Sequence, residues 1–452
     1  MEEIRKRIVM IPAPFEGHFP PLMNLASNLS SKGFSITVIR TQFNFHDISD
    51  RFPDFEFLII PDGLSESDKS SLGLVDLILK LNSACGPLLK DLLTVRDDVS
   101  CIVYDEFLYF PRSVAEDLNL PKMVFSASCA ATSISRCVLM GLVENGLLPP
   151  QESKFRQEEI VPGFHPFRFR DLPTTEYGSM DKLMTLYDNV SNRNTCSGII
   201  HNTSYCLESS CILLALEKWK VPVYHVGPLH KTAFATLIPS SFPEERSCIE
   251  WLNKQKPNSV IYISMGSLAI VEEEEVMEMA MGLMQSKQPF LWVIRPSSIP
   301  GFKSIDSFPD AFKETIEVER RGFVVKWAPQ KEVIEHGSVG GIWSHCGWNS
   351  TLESVCSGVP VICRPYSGDQ RVNTRLMTQI WRIGFEVGGK LERGLVERAV
   401  KKLMLEQEGE EMRKRAITLK EKIHASVRFG GSSHESLNDL ACSIMSLPSP
   451  SS

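Results

Sequence analysis

The chain has 452 residues, 43% of them hydrophobic and 23% charged, enough for two or three domains with buried cores. Its formal net charge of -7 offers none of the basic surplus that nucleic acid or an anionic membrane surface would attract. Twelve cysteines without a CxxC or regular spacing read as free thiols of a reducing compartment. The start, Met1 to Arg7 and a short apolar run meeting Pro12 and Pro14, lacks the long apolar stretch and cleavage site of a secretory signal. The run "MVFSASCAATSISRCVLMGLV" is interrupted by Arg136 and several hydroxyls, which makes it a poor candidate for a membrane span. A cytoplasmic, monomeric protein is the expectation.

In chain order, "IVMIPAP" is a short apolar strand and "PPLMNLASNLSSKG" spaces Leu22, Leu25, Ala26 and Leu29 as a helix stopped by Gly33. "FSITVIRT" is the second strand of this βαβ unit. Strands recur at "CIVYDEF", "PKMVFS" and "SGIIHNT", so an α/β domain with a parallel sheet spans 1–228. Residues 229–243 lose periodicity and gather Pro and Ser, the mark of a linker. A second alternation over 244–432 comprises "SVIYISMGS", a helix opened by Glu272 to Glu275, "PFLWVIRP", "GFVVKWAP", "VGGIWSH" and "VPVICRP". A last helix within 433–452 follows "GGSS" and is expected to pack back on the first domain. Sheets of this doubly wound kind bind ligands beyond the carboxyl ends of their strands, and two of them place a cleft between the domains.

Several motif classes are absent or incomplete. "GFEVGGKL" departs from a phosphate-binding Walker loop at Leu391, and neither GxGxxG nor GxSxG occurs. The stretch "SHCGWNSTLES", residues 344–354, is richer. His345 and Cys346 are adjacent and no second pair completes a tetrahedral metal site. Ser350-Thr351-Leu352-Glu353 reads as a capping box that opens a helix after a strand. Strand, glycine turn and helix N-terminus also make an anion site, and Gly347 permits close backbone approach. Pattern alone leaves cap and phosphate site both open, and they are compatible. Asn349-Ser350-Thr351 is a glycosylation sequon inside this motif, where a glycan would block a pocket; a cytosolic protein again fits.

From Trp327 to Gln370 the chain reads "WAPQKEVIEHGSVGGIWSHCGWNSTLESVCSGVPVICRPYSGDQ". This closely resembles the signature box of plant family 1 UDP-dependent glycosyltransferases. "PAPFEGHFPPLMNLASNLSSKGFSITVI" resembles the family's acceptor segment and "YISMGS" its nucleotide loop. The resemblance implies the α/β fold called GT-B, two Rossmann-like domains. It implies that Trp327 stacks on uracil, that Ala328 and Gln330 meet the base edge and the ribose side, and that Glu353 accepts from the ribose hydroxyls. His345, Gly347, Asn349, Ser350 and Ser267 would hold the diphosphate. Trp348, Asp369 and Gln370 would read the sugar, with glucose implied by the terminal Gln, and Ser126 aligns with a further sugar contact.

His18 follows the first strand in "FEGH". A lone histidine on a loop is more often solvated or structural than catalytic; the resemblance implies a general base, a task that an imidazole of near-neutral pKa suits. Asp105 would be its partner carboxylate, with a helix-start cap as the plain alternative and Glu106 as the nearest competitor. The implied reaction is a single in-line displacement that inverts α-UDP-glucose to a β-glucoside. No DxD occurs, so no metal or other cofactor is expected, and helix dipole and backbone donors would carry the diphosphate charge. Phe15, Phe19, Phe107 and Tyr109 are candidate acceptor contacts. The branch resembled glucosylates flavonols, hydroxybenzoates and hormone-like compounds, so the expected partners are UDP-glucose and a small phenolic. Glu16, where the family commonly has Gln, could raise the pKa of His18 or repel an acidic acceptor. Gly337-Ser338 replaces the usual Pro-Ala with a freer turn. The rival readings are a UDP-sugar hydrolase or epimerase of the same fold and a UDP-sugar-binding protein without turnover.

Overall fold

Apolar β-branched runs separated by amphipathic helices fold here as two all-parallel sheets. The structure is a computed structural model that describes residues 6–149, 153–236, 238, 242–267, 269–295, 298–299 and 307–448. The chain divides into two compact units, one of Met1–Lys154, Leu172–Pro239 and Ile423–Ser452, the other of Phe155–Asp171 and Ser240–Lys422.

The first unit holds β1 (Arg7–Ile11), β2 (Ser35–Thr41), β3 (Phe55–Ile60), β4 (Val99–Asp105), β5 (Lys122–Ser126), β6 (Gly198–His201) and β7 (Val223–His225). They pair in the order β3-β2-β1-β4-β5-β6-β7, every pair parallel. Ile8, Met10, Val38, Val103 and Phe125 meet Leu22, Leu25 and Leu29 of the helix Phe19–Ser30 in one apolar core. Leu437, Leu440 and Ile444 of the last helix, Ser432–Ser446, belong to the same core. At about 25 cal/mol per Å² of buried apolar surface, such faces carry most of the driving force for docking the helix.

The second unit holds β8 (Val260–Ser264), β9 (Phe290–Val293), β10 (Gly322–Val325), β11 (Val339–Ser344), β12 (Val361–Cys363) and β13 (Gly384–Glu386), in the parallel order β10-β9-β8-β11-β12-β13. The pleat sorts the residues of β8: Ile261 and Ile263 enter the core that contains Trp292 and Trp343, while Val260 and Tyr262 enter the core on the other face.

Three boundaries differ from the sequence reading. Residues 155–171 group with the second unit, where Arg168 pairs with Asp171 at 2.8 Å and Arg170 with Glu386 at 3.0 Å. The chain rejoins the first unit at Ile423, inside the helix Gln407–Val427, rather than at 433. The early part of the expected linker is built into the first unit: Leu229 is fully buried, and Thr232 and Thr236 bond to Asn28 and Asn24. Loss of periodicity marked irregular backbone there, not free chain. Residues 237 and 239–241 of that linker lie outside the described residues.

Candidate active site

In each sheet the strand order reverses once, and ligands of doubly wound sheets sit beyond the carboxyl ends of the strands at that point. In the first sheet the reversal falls between β1 and β4. β1 runs into the turn that carries His18, and β4 ends on Asp105. Pro20 and Pro21 open the helix after His18, which fixes the entry of the chain without needing backbone N–H groups.

His18 Nδ1 stands 2.9 Å from Asp105 Oδ2, with the carboxylate fully buried and the imidazole 16% exposed. Asp105 Oδ1 accepts the backbone N–H of Phe107 at 3.0 Å, so both carboxylate oxygens are oriented. Phe107 lies against the imidazole, ring centroids 4.9 Å apart, and Phe15 meets it edge-on at 6.0 Å. Glu106 is removed from competition. It is buried between Arg136 at 2.9 Å and Arg193 at 2.5 Å and accepts from Ser128 at 3.0 Å. Burial alone would raise its pKa, but the two guanidiniums hold the carboxyl well below the usual range. Burial, with the Arg193 charge adding to it, pushes the nearby His201 down to about 3.

The other first-unit candidates divide. Ser126 ends β5, fully buried, its hydroxyl 3.4 Å from the Ser128 carbonyl. Glu16 and Tyr109 are half-buried on the turns after β1 and β4. Phe19 lies in the hydrophobic core, with the Arg40 guanidinium 4.2 Å from its ring centroid.

In the second sheet the reversal falls between β8 and β11, and the turns that follow these strands carry Gly266-Ser267 and His345-Cys346-Gly347. The imidazole of His345 fills the space between the two glycines. A Cβ on Gly266 would stand 2.4 Å from its Nε2, and one on Gly347 2.5 Å. Gly266 also has φ +73°, which a side chain would strain. Arg295 at the end of β9 donates to the carbonyls of Gly266 at 2.8 Å and Ala269 at 2.9 Å, bracing this loop. Burial pushes His345 down to about 4, with the Arg295 charge acting in the same direction.

The helix after β11 runs Trp348–Ser357, and the expected capping box is not formed. Gly347 is the N-cap, no side chain caps it, and Thr351 N–H bonds to the Gly347 carbonyl at 2.9 Å. Ser350 lies one turn too late to cap; its hydroxyl accepts from Gln330 Nε2 at 2.9 Å, and the same nitrogen donates to Glu353 at 2.7 Å. The first turn holds no acidic residue, in contrast to Glu273–Ser286 with three. That leaves the positive end of the dipole without a carboxylate of its own.

Trp327 precedes Gln330 and lies 4.7 Å from Phe242, the two rings tilted by 41°, and its carbonyl accepts from Glu245 N–H at 2.8 Å. Ala328 is buried and Asn349 half-buried. The indole of Trp348 is buried against Trp381, centroids 6.3 Å apart; a sugar contact there would fall to its main chain. Asp369 accepts from Asn373 at 3.0 Å. Gln370 turns its carbonyl to the backbone N–H groups of Tyr366 at 2.8 Å and Ser367 at 3.1 Å, so its amide NH2 faces the other way.

The family described as UDP-glucoronosyl and UDP-glucosyl transferase matches residues 232–425. UDP-glycosyltransferase 76D1 of Arabidopsis thaliana is 64% identical over 98% of this chain and 99% of its own. The chain belongs to the UDP-glycosyltransferase family. A second Arabidopsis relative, flavonol 3-O-glucosyltransferase UGT76E12, is 50% identical over 99% of both chains. Among solved structures, Phytolacca americana UGT2 complexed with UDP-2fluoro-glucose and pterostilbene superposes with TM-score 0.83 at 26% identity, over 97% of this chain and 99% of that one. Medicago truncatula UGT71G1 complexed with UDP-glucose gives 0.84 at 25%, over 97% and 98%. The fold is GT-B, and the protein is a UDP-sugar-dependent transferase.

In this glycosyltransferase no helix among the described residues is long and apolar enough to cross a membrane. Among the same residues no three His, Cys, Asp or Glu side chains cluster as metal ligands. All twelve cysteines are free thiols. Sequence reasoning passed over Arg295 and Tyr262 because each reads as part of an apolar strand; only the strand order puts them beside the glycine turns and Gln330.

Proposed function

We propose that this glycosyltransferase is an inverting, UDP-glucose-dependent glucosyltransferase that forms a β-glucoside on a small phenolic. The observation that carries the reading is the buried His18–Asp105 pair at the switch point of the first sheet. Asp105 accepts a hydrogen bond from the Nδ1–H of the ring, so Nε2 is the nitrogen that would accept a proton. As the acceptor oxygen bonds to the anomeric carbon, its proton passes to His18 Nε2 and the bond from that carbon to the diphosphate oxygen breaks. Asp105 stabilises the imidazolium, and attack opposite the leaving group inverts the centre.

UDP departs with the bond electrons. His345, Asn349, Ser350, Ser267 and the helix N-terminus at Gly347 are assigned to its diphosphate, with no metal or other cofactor required. Trp327 and the Ala328–Gln330 turn are assigned to uracil, Glu353 to the ribose, and Asp369, Gln370 and the Trp348 main chain to the sugar. Ser126 is kept as a weaker sugar contact, and Phe15, Glu16, Phe107 and Tyr109 as the acceptor side. A phenolic acceptor is supported by the flavonol named for the relative at 50% identity. Free thiols fit a cytoplasmic location.

The test is a mass-spectrometric screen of purified protein with UDP-glucose against flavonols, hydroxybenzoates and other phenolics. A β-glucoside of at least one is expected. Free glucose or an epimerised donor, with no glucoside, would replace this reading with a hydrolase or epimerase.

A further inference from the structure

The Tyr262 side chain leaves β8 on the face opposite Ile261 and Ile263 and is 1% exposed. It is the largest polar side chain of that strand. Its hydroxyl donates to Gln330 Oε1 at 3.2 Å, and burial raises its pKa, which keeps the proton in place. The other end of the Gln330 amide uses both N–H groups, toward Ser350 Oγ at 2.9 Å and Glu353 Oε2 at 2.7 Å. The amide is therefore held from two ends. With the opposite orientation an oxygen would face the Glu353 carboxylate across 2.7 Å with no proton between them.

Glu353 is 8% exposed, so its charge relies on such donors and not on bulk water. One of its oxygens is taken by Gln330, which aims the other. We propose that Tyr262 is a positioning residue: its hydroxyl fixes the Gln330 amide, and through it the Glu353 carboxylate, so setting the preference for a ribonucleoside over a 2′-deoxyribonucleoside diphosphate. The inference rests on the assignment of Glu353 to the ribose made above. A tyrosine that only filled the core would matter through its ring, and the ring survives in Tyr262→Phe. Only the hydroxyl reaches Gln330.

The experiment is calorimetric titration of the full chain with UDP and with 2′-deoxy-UDP, for the unmodified protein and for Tyr262→Phe. The unmodified protein should prefer UDP. The variant should bind UDP several-fold more weakly and 2′-deoxy-UDP almost as before, so that the ratio falls at least threefold. Parallel weakening of both ligands, or no change in either, overturns the inference. Gln330→Met removes the amide from the other side and should lower the ratio likewise; adding Tyr262→Phe to it should then change nothing further, and an additional fall refutes the link. If the unmodified protein binds the two ligands equally, the ribose assignment of Glu353 fails, and the inference with it. If it prefers UDP but the variants keep the ratio, the assignment stands and only Tyr262 is wrong.

Discussion

Asp105→Asn changes the proposed base pair with little change of shape. Asp105 Oδ1 accepts the Phe107 N–H at 3.0 Å, and Oδ2 meets His18 Nδ1 at 2.9 Å. An asparagine keeps the first bond only with its carbonyl oxygen there, because an amide NH2 would face another N–H. Its NH2 then points at His18 Nδ1, which must accept, and the single proton of the neutral ring moves to Nε2. The nitrogen assigned to take the acceptor's proton is already protonated. Flipping the amide restores the ring but opposes two buried donors, at about 1–3 kcal/mol. Loss of the carboxylate also removes a charge-assisted bond to the imidazolium, roughly another 1.5–3 kcal/mol. The sum is a fall in kcat of about 10²–10⁴-fold, with UDP affinity nearly unchanged. Initial rates with UDP-glucose and a phenolic that is turned over, beside a calorimetric UDP titration, measure both. His18→Ala should cost at least ~10²-fold, and the double variant should be no worse than it. An asparagine variant that retains more than about a tenth of kcat would refute the assigned geometry, since the smallest sum of the two terms, about 2.5 kcal/mol, already exceeds tenfold.

Gly347→Ala has room in the backbone, at φ −60°, but sets a Cβ 2.5 Å from His345 Nε2. UDP should bind about tenfold or more weakly, from one lost bond to a charged group, while uridine is little affected; equal affinity for UDP would remove His345 from the phosphate site. Activity should survive EDTA, and a loss restored by Mg²⁺ or Mn²⁺ would overturn the metal-free assignment. His201 and His345 are depressed to about 3 and about 4 in the fold, so between pH 6.5 and 5 the unfolded chain binds protons that the folded one refuses. Denaturant stability should fall through that window, by up to about 1.4 kcal/mol per pH unit for each histidine, and His201→Gln should flatten the slope; an unchanged slope there would place the charge uptake elsewhere. UDP-glucose should exceed UDP-galactose by roughly tenfold in kcat/KM, because a mispaired buried hydroxyl costs about 1–3 kcal/mol. Gln370→His should narrow that ratio, and equal use of both donors by the unmodified protein would show that Gln370 does not read the sugar.

Periodicity made the long strands legible. "SITVIRT" and "VGGIWS" carry β-branched and aromatic side chains at strand length, and both are strands of the parallel sheets. β7 and β13 have three residues each, too short for any periodic signal. Strand order is invisible in one sequence, yet it is what sets His18 against Asp105 and Gly266 against Gly347. The capping box failed for a local reason: the helix starts three residues earlier, and Gln330 claims the Ser350 hydroxyl that should have capped it. Residue type showed that Gln330, Glu353 and Gln370 are polar groups in a site. Which of their atoms are already committed needed the coordinates.

Asp105 and Glu106 show how far a neighbouring position can separate two like side chains. At the end of β4 successive side chains leave on opposite sides, so one carboxylate meets the turn after β1 and the next meets the interior. Glu106 would be costly there alone; Arg136 and Arg193 make its burial tolerable, and removing Glu106 would take the carboxylate partner from both buried guanidiniums, at a cost of about 3–5 kcal/mol. The pairing also fixes Arg136, whose guanidinium lies 5.0 Å from the Phe107 ring centroid. Phe107 in turn lies against the His18 imidazole and supplies the N–H that orients Asp105. The carboxylate that does not touch His18 thus steadies the residue whose ring lies against the imidazole and whose N–H orients Asp105.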